Sequence, residues 1–598
     1  MCGIVGHTGH SPNLDAVLAG LKRLEYRGYD SAGVAGANGK ISAAWVVGKI
    51  HLLETHLKRE PLPTDAIAHI GHTRWATHGP ATKANAHPHT ASMVAVVHNG
   101  IIENHAELRS ELESAGFVFS SDTDTEVVTH LIEQALRHEP DLIAAVQQVV
   151  PRLQGAYALG IISPVAPDTI IAVRKGSPLA IGLGDGQNMI GSDALAIAEH
   201  TPEVMYLNDG DLAVVTPESV QVLDQHGQAV TRPTKHVDPA QLADKGDWRH
   251  YMLKEMHEQP DAVRNTLDTD ISAFGEQAAD VLSQVQAIHI VACGTSHYAG
   301  QQAKRWFTKL GIPCDVFIAS EYMVDDALHV PANTLCIAIS QSGETADTRS
   351  AIKQAKSRDY LATMAICNTD GSSVVRETDL CFLTKAGHEQ AVASTKAFTT
   401  QLIALQLLAY HLGNLRDVDG DDVLQALREL PLQLEAVLKQ SAQIKQTAQS
   451  LMSTTNAFFL GKRHMSTIAA EGALKLQEIS YIHAQAYPAG EMKHGPIALV
   501  EPGFLTVVIV PKDELEQKTI SSISEVLARQ SSVLVFAEDG VELPQNNLLQ
   551  SVSIGTLNPI TAPYIANVAL QLFAYHMAVA KGTDVDQPRN LAKSVTVE

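Results

Sequence analysis

Leu335-Cys336-Ile337-Ala338-Ile339-Ser340-Gln341-Ser342-Gly343-Glu344-Thr345 reads as a buried strand running into a turn crowded with hydroxyls, with a helix following from about Ala346. A short unbroken apolar run bounded by turn residues suits a strand covered on both faces, as in a parallel sheet. Backbone N–H groups, the positive end of the helix dipole and several hydroxyls then converge outside the carboxyl end of the strand, which suits a phosphate. Ser and Thr are also the preferred helix N-caps, so one hydroxyl alone would mean only capping. Three of them, Ser340, Ser342 and Thr345, beside Gln341 and Gly343, point to an anion site. Gly294-Thr295-Ser296 and Ser394-Thr395-Lys396 add hydroxyls at comparable strand ends.

Outward from this segment, strands and helices alternate: Ala287 to Ala292, a helix from about His297, the strand above, its helix, and Leu361 to Cys367. That rhythm predicts a parallel sheet. A second round begins at Ala457-Phe458-Phe459-Leu460-Gly461, passes through a helix near Ser466 to Ile479, and reaches Leu505 to Val510 and Ser532 to Phe536. We read it as an internal duplication. In the alignment it suggests, Cys293-Gly294-Thr295-Ser296 falls opposite Leu460-Gly461-Lys462-Arg463, and Ser320-Glu321-Tyr322-Met323 opposite Gly490-Glu491-Met492-Lys493.

Upstream, Pro233 to Pro260 is polar and charged without being Gly/Ser-rich, so it predicts a partly ordered connection. Before it the pattern changes to short β-rich runs, such as Asn38 to Val47, Ala156 to Ile162 and Leu212 to Thr216, with helical stretches at Asp124 to Leu136 and Leu142 to Leu153. Two packed sheets with helices outside them, an α/β/β/α unit, account for that pattern.

The chain opens Met1-Cys2-Gly3-Ile4-Val5-Gly6. Removing Met1 would place a thiol and a free α-amine on one residue, and an amine titrating near ~7.7 to 8.0 serves as the base for that thiol. Further parts lie in His72-Thr73-Arg74-Trp75-Ala76-Thr77-His78-Gly79, in Val97-His98-Asn99-Gly100 and in Ser121-Asp122-Thr123-Asp124-Thr125-Glu126. Arg74 offers a fork for a carboxylate and Asp124 a counter-charge for an ammonium, so the two suit the ends of a free amino acid such as glutamine. Asn99 and the Gly100 N–H, at the end of the apolar run Met93 to Val97, could aim two donors at an oxyanion. Asn-Gly after a strand also reads as a hairpin turn, and Arg74 as a surface ion pair.

At 598 residues the chain exceeds one core, which predicts two or three domains. The formal net charge of -22 and the lack of a basic stripe argue against nucleic acid. No apolar run approaches the roughly 18 residues of a membrane span. The six cysteines form no Cys-x-x-Cys pair, and no signal-like segment begins the chain, which predicts free thiols in a cytoplasmic protein. No zinc spacing accompanies the 27 histidines, so no metal and no cofactor is expected.

The segments around Cys2, Arg74, Asn99 and Asp124 resemble the glutaminase domain of the class II glutamine amidotransferases, the N-terminal-nucleophile type, from Cys2 to about residue 220. The resemblance implies Cys2 as nucleophile, Asn99 and Gly100 as oxyanion hole, and Arg74, Trp75, Thr77, His78, Gly100 and Asp124 around glutamine, with Trp75 also gating an ammonia channel. The hydroxyl-rich strand ends resemble sugar isomerase domains in two copies. Together with Glu471-Gly472-Ala473-Leu474-Lys475-Leu476-Gln477-Glu478, His494-Gly495-Pro496 and the tail Asp586 to Glu598, the whole chain resembles the isomerising glutamine:fructose-6-phosphate aminotransferases.

That resemblance implies an α/β multidomain protein: an N-terminal-nucleophile αββα glutaminase (1–235), a linker (236–265), two doubly wound parallel-sheet sugar isomerase domains (266–425 and 426–585), and a catalytic tail (586–598). Lys475 and Glu478, three apart on one helix face, also read as an ordinary ion pair; the resemblance makes Glu478 the base that moves a proton between adjacent sugar carbons, with Lys475 beside it. It makes His494, borrowed from the partner subunit of a homodimer, the ring-opening residue, and Lys593 the Schiff-base amine. Thr295, Ser296, Ser340, Gln341, Ser342, Thr345, Val392, Ser394, Lys475, Glu478 and Ala592 surround the sugar phosphate. The implied reaction turns glutamine and fructose 6-phosphate into glutamate and glucosamine 6-phosphate, opening hexosamine biosynthesis.

Three rivals carry different expectations. An amide-forming synthetase needs a Ser-Gly-Gly-x-Asp-Ser nucleotide loop, which Ser342-Gly343-Glu344 does not supply. A phosphoribosyl acceptor needs an acidic pair followed by Gly-Thr, and Asp325-Asp326 is followed by Ala327-Leu328-His329. A non-catalytic phosphosugar sensor would bind sugar without turnover.

Overall fold

The computed structural model describes residues 2–63, 65–76, 79–238 and 245–596. The chain divides into two compact units: residues 1–242 with 592–598, and residues 243–591. Among the described residues no helix is long and apolar enough to cross a membrane.

The first unit stacks an eight-stranded and a seven-stranded sheet. Ile4, Ile70, Val97, Ile162, Ile170 and Ile190 interleave in one core. Helices Leu14–Leu24 and Ile50–Arg59 cover the outer face of the first sheet. Helices His105–Ser114, Glu126–His138 and Leu142–Val149 cover that of the second. Helix Glu126–His138 shows the cause: Val127, Val128, Leu131, Ile132, Ala135 and Leu136 are buried at helical spacing, each large one contributing about 1.5–3 kcal/mol. The αββα layering is therefore present. Strand Gly3–Gly9 lies inside its sheet, antiparallel to both Gln187–Gly191 and Ala68–Arg74, which anchors the chain immediately after Cys2.

Two local expectations change. Asn38 to Val47 is not one strand: the chain turns at Gly39 between strands Ser31–Asn38 and Lys40–Val47. Asn99-Gly100 is neither a strand end nor a hairpin turn, because strand Ala95–Ile102 continues through it and pairs Gly100 with Tyr157. Gly100 has φ +132, and a Cβ there would stand 2.0 Å from the Ala156 carbonyl oxygen, so the strand passes only with glycine.

The second unit holds two five-stranded parallel sheets of matching order. One runs Cys314–Ile318, Ala287–Ala292, Thr334–Ser340, Ala362–Cys367, Leu380–Leu383; the other runs His483–Pro488, Asn456–Gly461, Leu505–Val510, Ser532–Ala537, Leu549–Ser553. Helices Lys396–Asn414 and Ala562–Lys581 are buried on nearly every face and join both repeats in one core. Polar side chains tie them to helix Gln259–Thr266: Gln259 Nε2 donates to Gln571 Oε1 at 3.0 Å, and Thr399 Oγ1 to Gln259 Oε1 at 2.6 Å.

The register of the repeats differs from the sequence alignment by two residues at the first strand end only; at the next, Ile318 pairs with Ala292 as Pro488 pairs with Gly461, so Ser320 lies opposite Gly490 as expected. Strands Ala287–Ala292 and Asn456–Gly461 correspond end to end, and Gly294 (φ +53) and Arg463 (φ +50) share the unusual backbone that follows. Cys293-Gly294-Thr295-Ser296 therefore lies opposite Lys462-Arg463-His464-Met465. Glycine at Gly461 misled the alignment because it closes the strand here and does not start the helix.

Domain limits shift as well. The stretch expected as a linker folds, from Tyr251, into helices Tyr251–His257 and Gln259–Thr266 of the second unit, since Met252, Met256 and Val263 are fully buried. Helix Asp421–Leu438 runs through the limit expected at 425/426. The tail is divided: Asp586 accepts from the Tyr251 and Met252 N–H groups at 2.9 Å each, Arg589 stacks over Tyr481, and residues from Ala592 onward group with the first unit.

Candidate functional sites

In the first unit the Cys2 thiol is held by backbone. The Trp75 N–H donates to Cys2 Sγ at 3.3 Å, and Sγ lies 3.5 Å from the Trp75 carbonyl. The peptide of Trp75, not its ring, makes this contact. Asp30 fixes the loop: Ala76 N donates to its carboxylate at 2.8 Å, and its own N–H donates to the Arg74 carbonyl. Burial pushes the Cys2 thiol above its usual range, opposed by the Trp75 N–H and Arg74. A resting thiol needs a base when it attacks.

Asn99 Nδ2 donates to the Cys2 carbonyl at 3.0 Å, while Asn99 Oδ1 accepts from His72 Nε2 at 3.0 Å. His72 Nε2 also faces the His98 carbonyl at 2.9 Å, so both partners are acceptors and the proton sits on Nε2. Burial drives the His72 pKa down to about 3, which keeps the ring neutral. The amide of Asn99 is thereby turned with its NH2 toward Cys2. His72 stands in the quoted motif, yet its role is invisible there, because its partner sits on a strand of the opposite sheet.

Arg74 is buried and donates to the carbonyls of Pro80 and Gly79 at 3.2 and 3.3 Å. Asp124, also buried, accepts from the Ile102 N–H at 2.8 Å. Thr77 and His78 lie outside the described residues.

In the second unit, Gly343 N donates to Ser340 Oγ at 2.9 Å, Ser340 Oγ lies 3.4 Å from Thr345 Oγ1, and Glu344 N donates to Ser342 Oγ at 3.2 Å. A Cβ on Gly343 (φ +66) would lie 2.0 Å from Ser372 Oγ, so only glycine closes this turn. The Gln341 carbonyl accepts from Asn368 N at 3.3 Å. Ser296 Oγ accepts from Gln401 at 3.0 Å, Ser394 Oγ donates to Glu389 at 3.0 Å, and Val392 N donates to the Asp586 carbonyl at 3.0 Å.

Helix His464–Ser480 carries Glu471, Lys475 and Glu478 on one face. Lys475 Nζ lies 2.5 Å from Glu478 and 3.5 Å from Glu471, and donates to Thr295 Oγ1 at 3.0 Å. Thr295 in turn donates to Glu471 at 3.2 Å. Burial opposes the charge on Lys475, but two carboxylates outweigh it and raise its pKa. One cation cannot serve both acids equally, and burial pushes Glu471, fully enclosed, up to about 7. Glu471 was missed, although its spacing of four from Lys475 puts it on the same helix face.

The remaining expected residues lie elsewhere. His494 is exposed at the end of the short 3₁₀ helix Glu491–His494 beyond edge strand His483–Pro488, with no side-chain hydrogen bond among the described residues. Ala592 and Lys593 are half-buried and belong to the first unit.

Residues 72–199 match the glutamine amidotransferase domain family, and residues 281–410 and 450–581 each match the SIS domain family. The chain is 48% identical to the glutamine–fructose-6-phosphate aminotransferase [isomerizing] of Pseudomonas putida, over 100% of both chains. The chain belongs to the isomerising glutamine–fructose-6-phosphate aminotransferase family. The family's enzyme from Escherichia coli K12 is 46% identical, again over 100% of both chains. A solved C-terminal domain of the family's member from Francisella tularensis is 42% identical, with a TM-score of 0.56, and covers 58% of this chain and 100% of its own. Membership makes this chain an aminotransferase with a glutaminase half and two SIS repeats.

Proposed function

We propose that the chain transfers the amide nitrogen of glutamine to fructose 6-phosphate, giving glutamate and glucosamine 6-phosphate in the cytoplasm. The observation that carries this reading is the Cys2–Asn99–His72 arrangement in a chain matched end to end by enzymes of that name. With Met1 removed, the α-amine of Cys2 takes the thiol proton and Sγ attacks the glutamine amide carbon. Asn99 Nδ2 and the Gly100 N–H receive the oxyanion. Ammonia leaves, and water cleaves the thioester to glutamate. Arg74, Thr77, His78 and Asp124 hold the amino acid, and Trp75 gates the passage of ammonia.

The Ser340-to-Thr345 turn, with Gln341, Thr295, Ser296, Val392, Ser394 and Ala592, holds the sugar phosphate. His494 of the partner subunit opens the ring, which makes a homodimer the working form. The Lys593 amine condenses with the ketone and releases water; ammonia then displaces it. Glu478 moves the proton from C1 to C2 of the imine, which leaves C1 at the aldehyde level and C2 bearing the amine, while Lys475 holds that carboxylate in place.

Met-processed protein mixed with glutamine and fructose 6-phosphate should yield glutamate and glucosamine 6-phosphate in equal amounts. Glutamate alone would remove fructose 6-phosphate as acceptor. Sugar binding with neither product would favour a sensor.

A further inference from the structure

A cavity of about 500 Å³ opens in the second repeat, at the carboxyl ends of strands Asn456–Gly461 and Leu505–Val510. These two strands are neighbours, and the connections leaving them run to opposite sides, so the cavity occupies the switch point where open α/β sheets receive ligands. It is the counterpart, in the other copy of the duplication, of the crevice formed by Thr295 and the Ser340-to-Thr345 turn.

The correspondence extends to side chains. In the register given by Gly294 and Arg463, His464 takes the place of Thr295 and Gln302 that of Glu471. Thr295 is bonded to Glu471, and Gln302 Nε2 donates to His464 Nδ1 at 2.8 Å. That bond leaves the ring proton of His464 on Nε2. Gln302 is fully buried and its Oε1 finds no partner among the described residues, as is also true of Glu471 Oε2. Lys309 takes the place of Glu478, so the position of the acid-base carboxylate holds a cation instead.

The walls carry charged side chains of both signs where the first crevice is hydroxylic, and the cations cluster beside His464. Arg305, Lys309, Lys462, Arg463 and Lys512 line the cavity around His464, with Trp306 and Tyr410 as flat apolar sides. Asp419, Asp422, Asp513, Glu514 and Glu538 line it too, but Arg463 is held by Glu514, and the carboxylates of Asp419, Asp422, Asp513 and Glu538 accept from the backbone N–H groups of Asp421, Val423, Leu515 and Lys512. Arg305, Lys309 and Lys462 have no ion-pair partner among the described residues. Burial, and after it the nearby charges of Arg305, Arg463 and Lys309, lower the His464 pKa to about 4. Arginine at position 463 keeps a backbone that favours glycine, as its counterpart Gly294 has.

We propose that this cavity is a second hexose-phosphate site, one that binds without turning over. Arg305, Lys309 and Lys462 take the phosphate, His464 donates through Nε2–H, and Trp306 and Tyr410 flank the sugar. With Lys309 where a carboxylate would be needed, no proton moves between sugar carbons there. The proposal rests on the reading of the first crevice as a hexose-phosphate site.

Equilibrium dialysis of the full-length, Met-processed protein against labelled fructose 6-phosphate, without glutamine, tests it. Two equivalents per chain are expected. The Arg305→Ala/Lys309→Ala variant should weaken one of them by about tenfold or more, with coupled activity at saturating substrates unchanged. The Ser342→Ala/Thr345→Ala variant should lose the other equivalent together with that activity. One equivalent in the wild type, lost only through Ser342 and Thr345, would overturn the second site, as would two equivalents retained without Arg305 and Lys309. One equivalent lost only through Arg305 and Lys309 would keep the second site and sink the reading of the first.

Discussion

His72 Nε2 donates to Asn99 Oδ1 at 3.0 Å, and the other end of that amide donates to the Cys2 carbonyl at the same distance. The two residues lie on strands of facing sheets, so a neutral histidine in the middle of the sandwich decides which way the amide beside the nucleophile points.

His72→Ala should therefore lower glutaminase kcat by about ten- to a hundredfold with little change in the KM for glutamine, less than the ~10²–10³ of losing an oxyanion donor outright. His72→Gln, which keeps a donor, should recover part of the loss. A KM that rises with kcat unchanged would assign His72 to substrate binding instead.

Acid should loosen the first unit first. Burial lowers His69 to about 4, His72 to about 3 and His89 to about 4, against 6.5 for the free side chain. Below pH 6.5 the unfolded chain binds protons that the folded chain refuses, so stability falls as pH falls, by up to about 1.4 kcal/mol per pH unit for each ring. Hydrogen exchange at pH 7 and pH 5 should show protection lost at 68–74 and 95–102 before the second unit's sheets. Equal protection at both values would count against it.

Glu471 carries the opposite sign. Its folded pKa of about 7 lies above the ordinary 4.5, so the folded state holds the extra proton and this group's contribution declines as pH rises between those values. Glu471→Gln should remove that decline from the second unit's melting temperature between pH 5 and pH 7.5, and a variant profile parallel to wild type would exclude the assignment.

Gly343→Ala meets both a positive φ and a Cβ 2.0 Å from Ser372 Oγ. The turn would have to open, at a cost of about 1–3 kcal/mol. The KM for fructose 6-phosphate should rise at least about tenfold while glutamine hydrolysis continues, measured as glutamate release without sugar.

Glu478→Gln should leave glutamine hydrolysis intact and reduce glucosamine 6-phosphate formation by about 10²- to 10⁴-fold, the usual range for a lost general base. Separate assays of the two products check it, and a retained rate would move the base elsewhere.

Much of this molecule could be read along the chain because its signals are local. The parallel strands are short apolar runs between turns, the helices carry buried residues at helical spacing, and a thiol at position two is a property of the terminus itself. The Ser340-to-Thr345 turn declares its hydroxyls in six consecutive residues.

What the chain order conceals is pairing across distance. His72 meets Asn99 only because two sheets face each other, and Thr295 meets Glu471 and Lys475 only because helix His464–Ser480 lies against the first repeat's strand end. Burial then sets the charge: His72 is neutral and Glu471 ready to hold a proton because water is excluded, a condition no sequence window contains. The alignment of the repeats slipped by two residues at the first strand end for the same reason. Gly294 and Arg463 correspond through backbone conformation, which their side chains do not reveal.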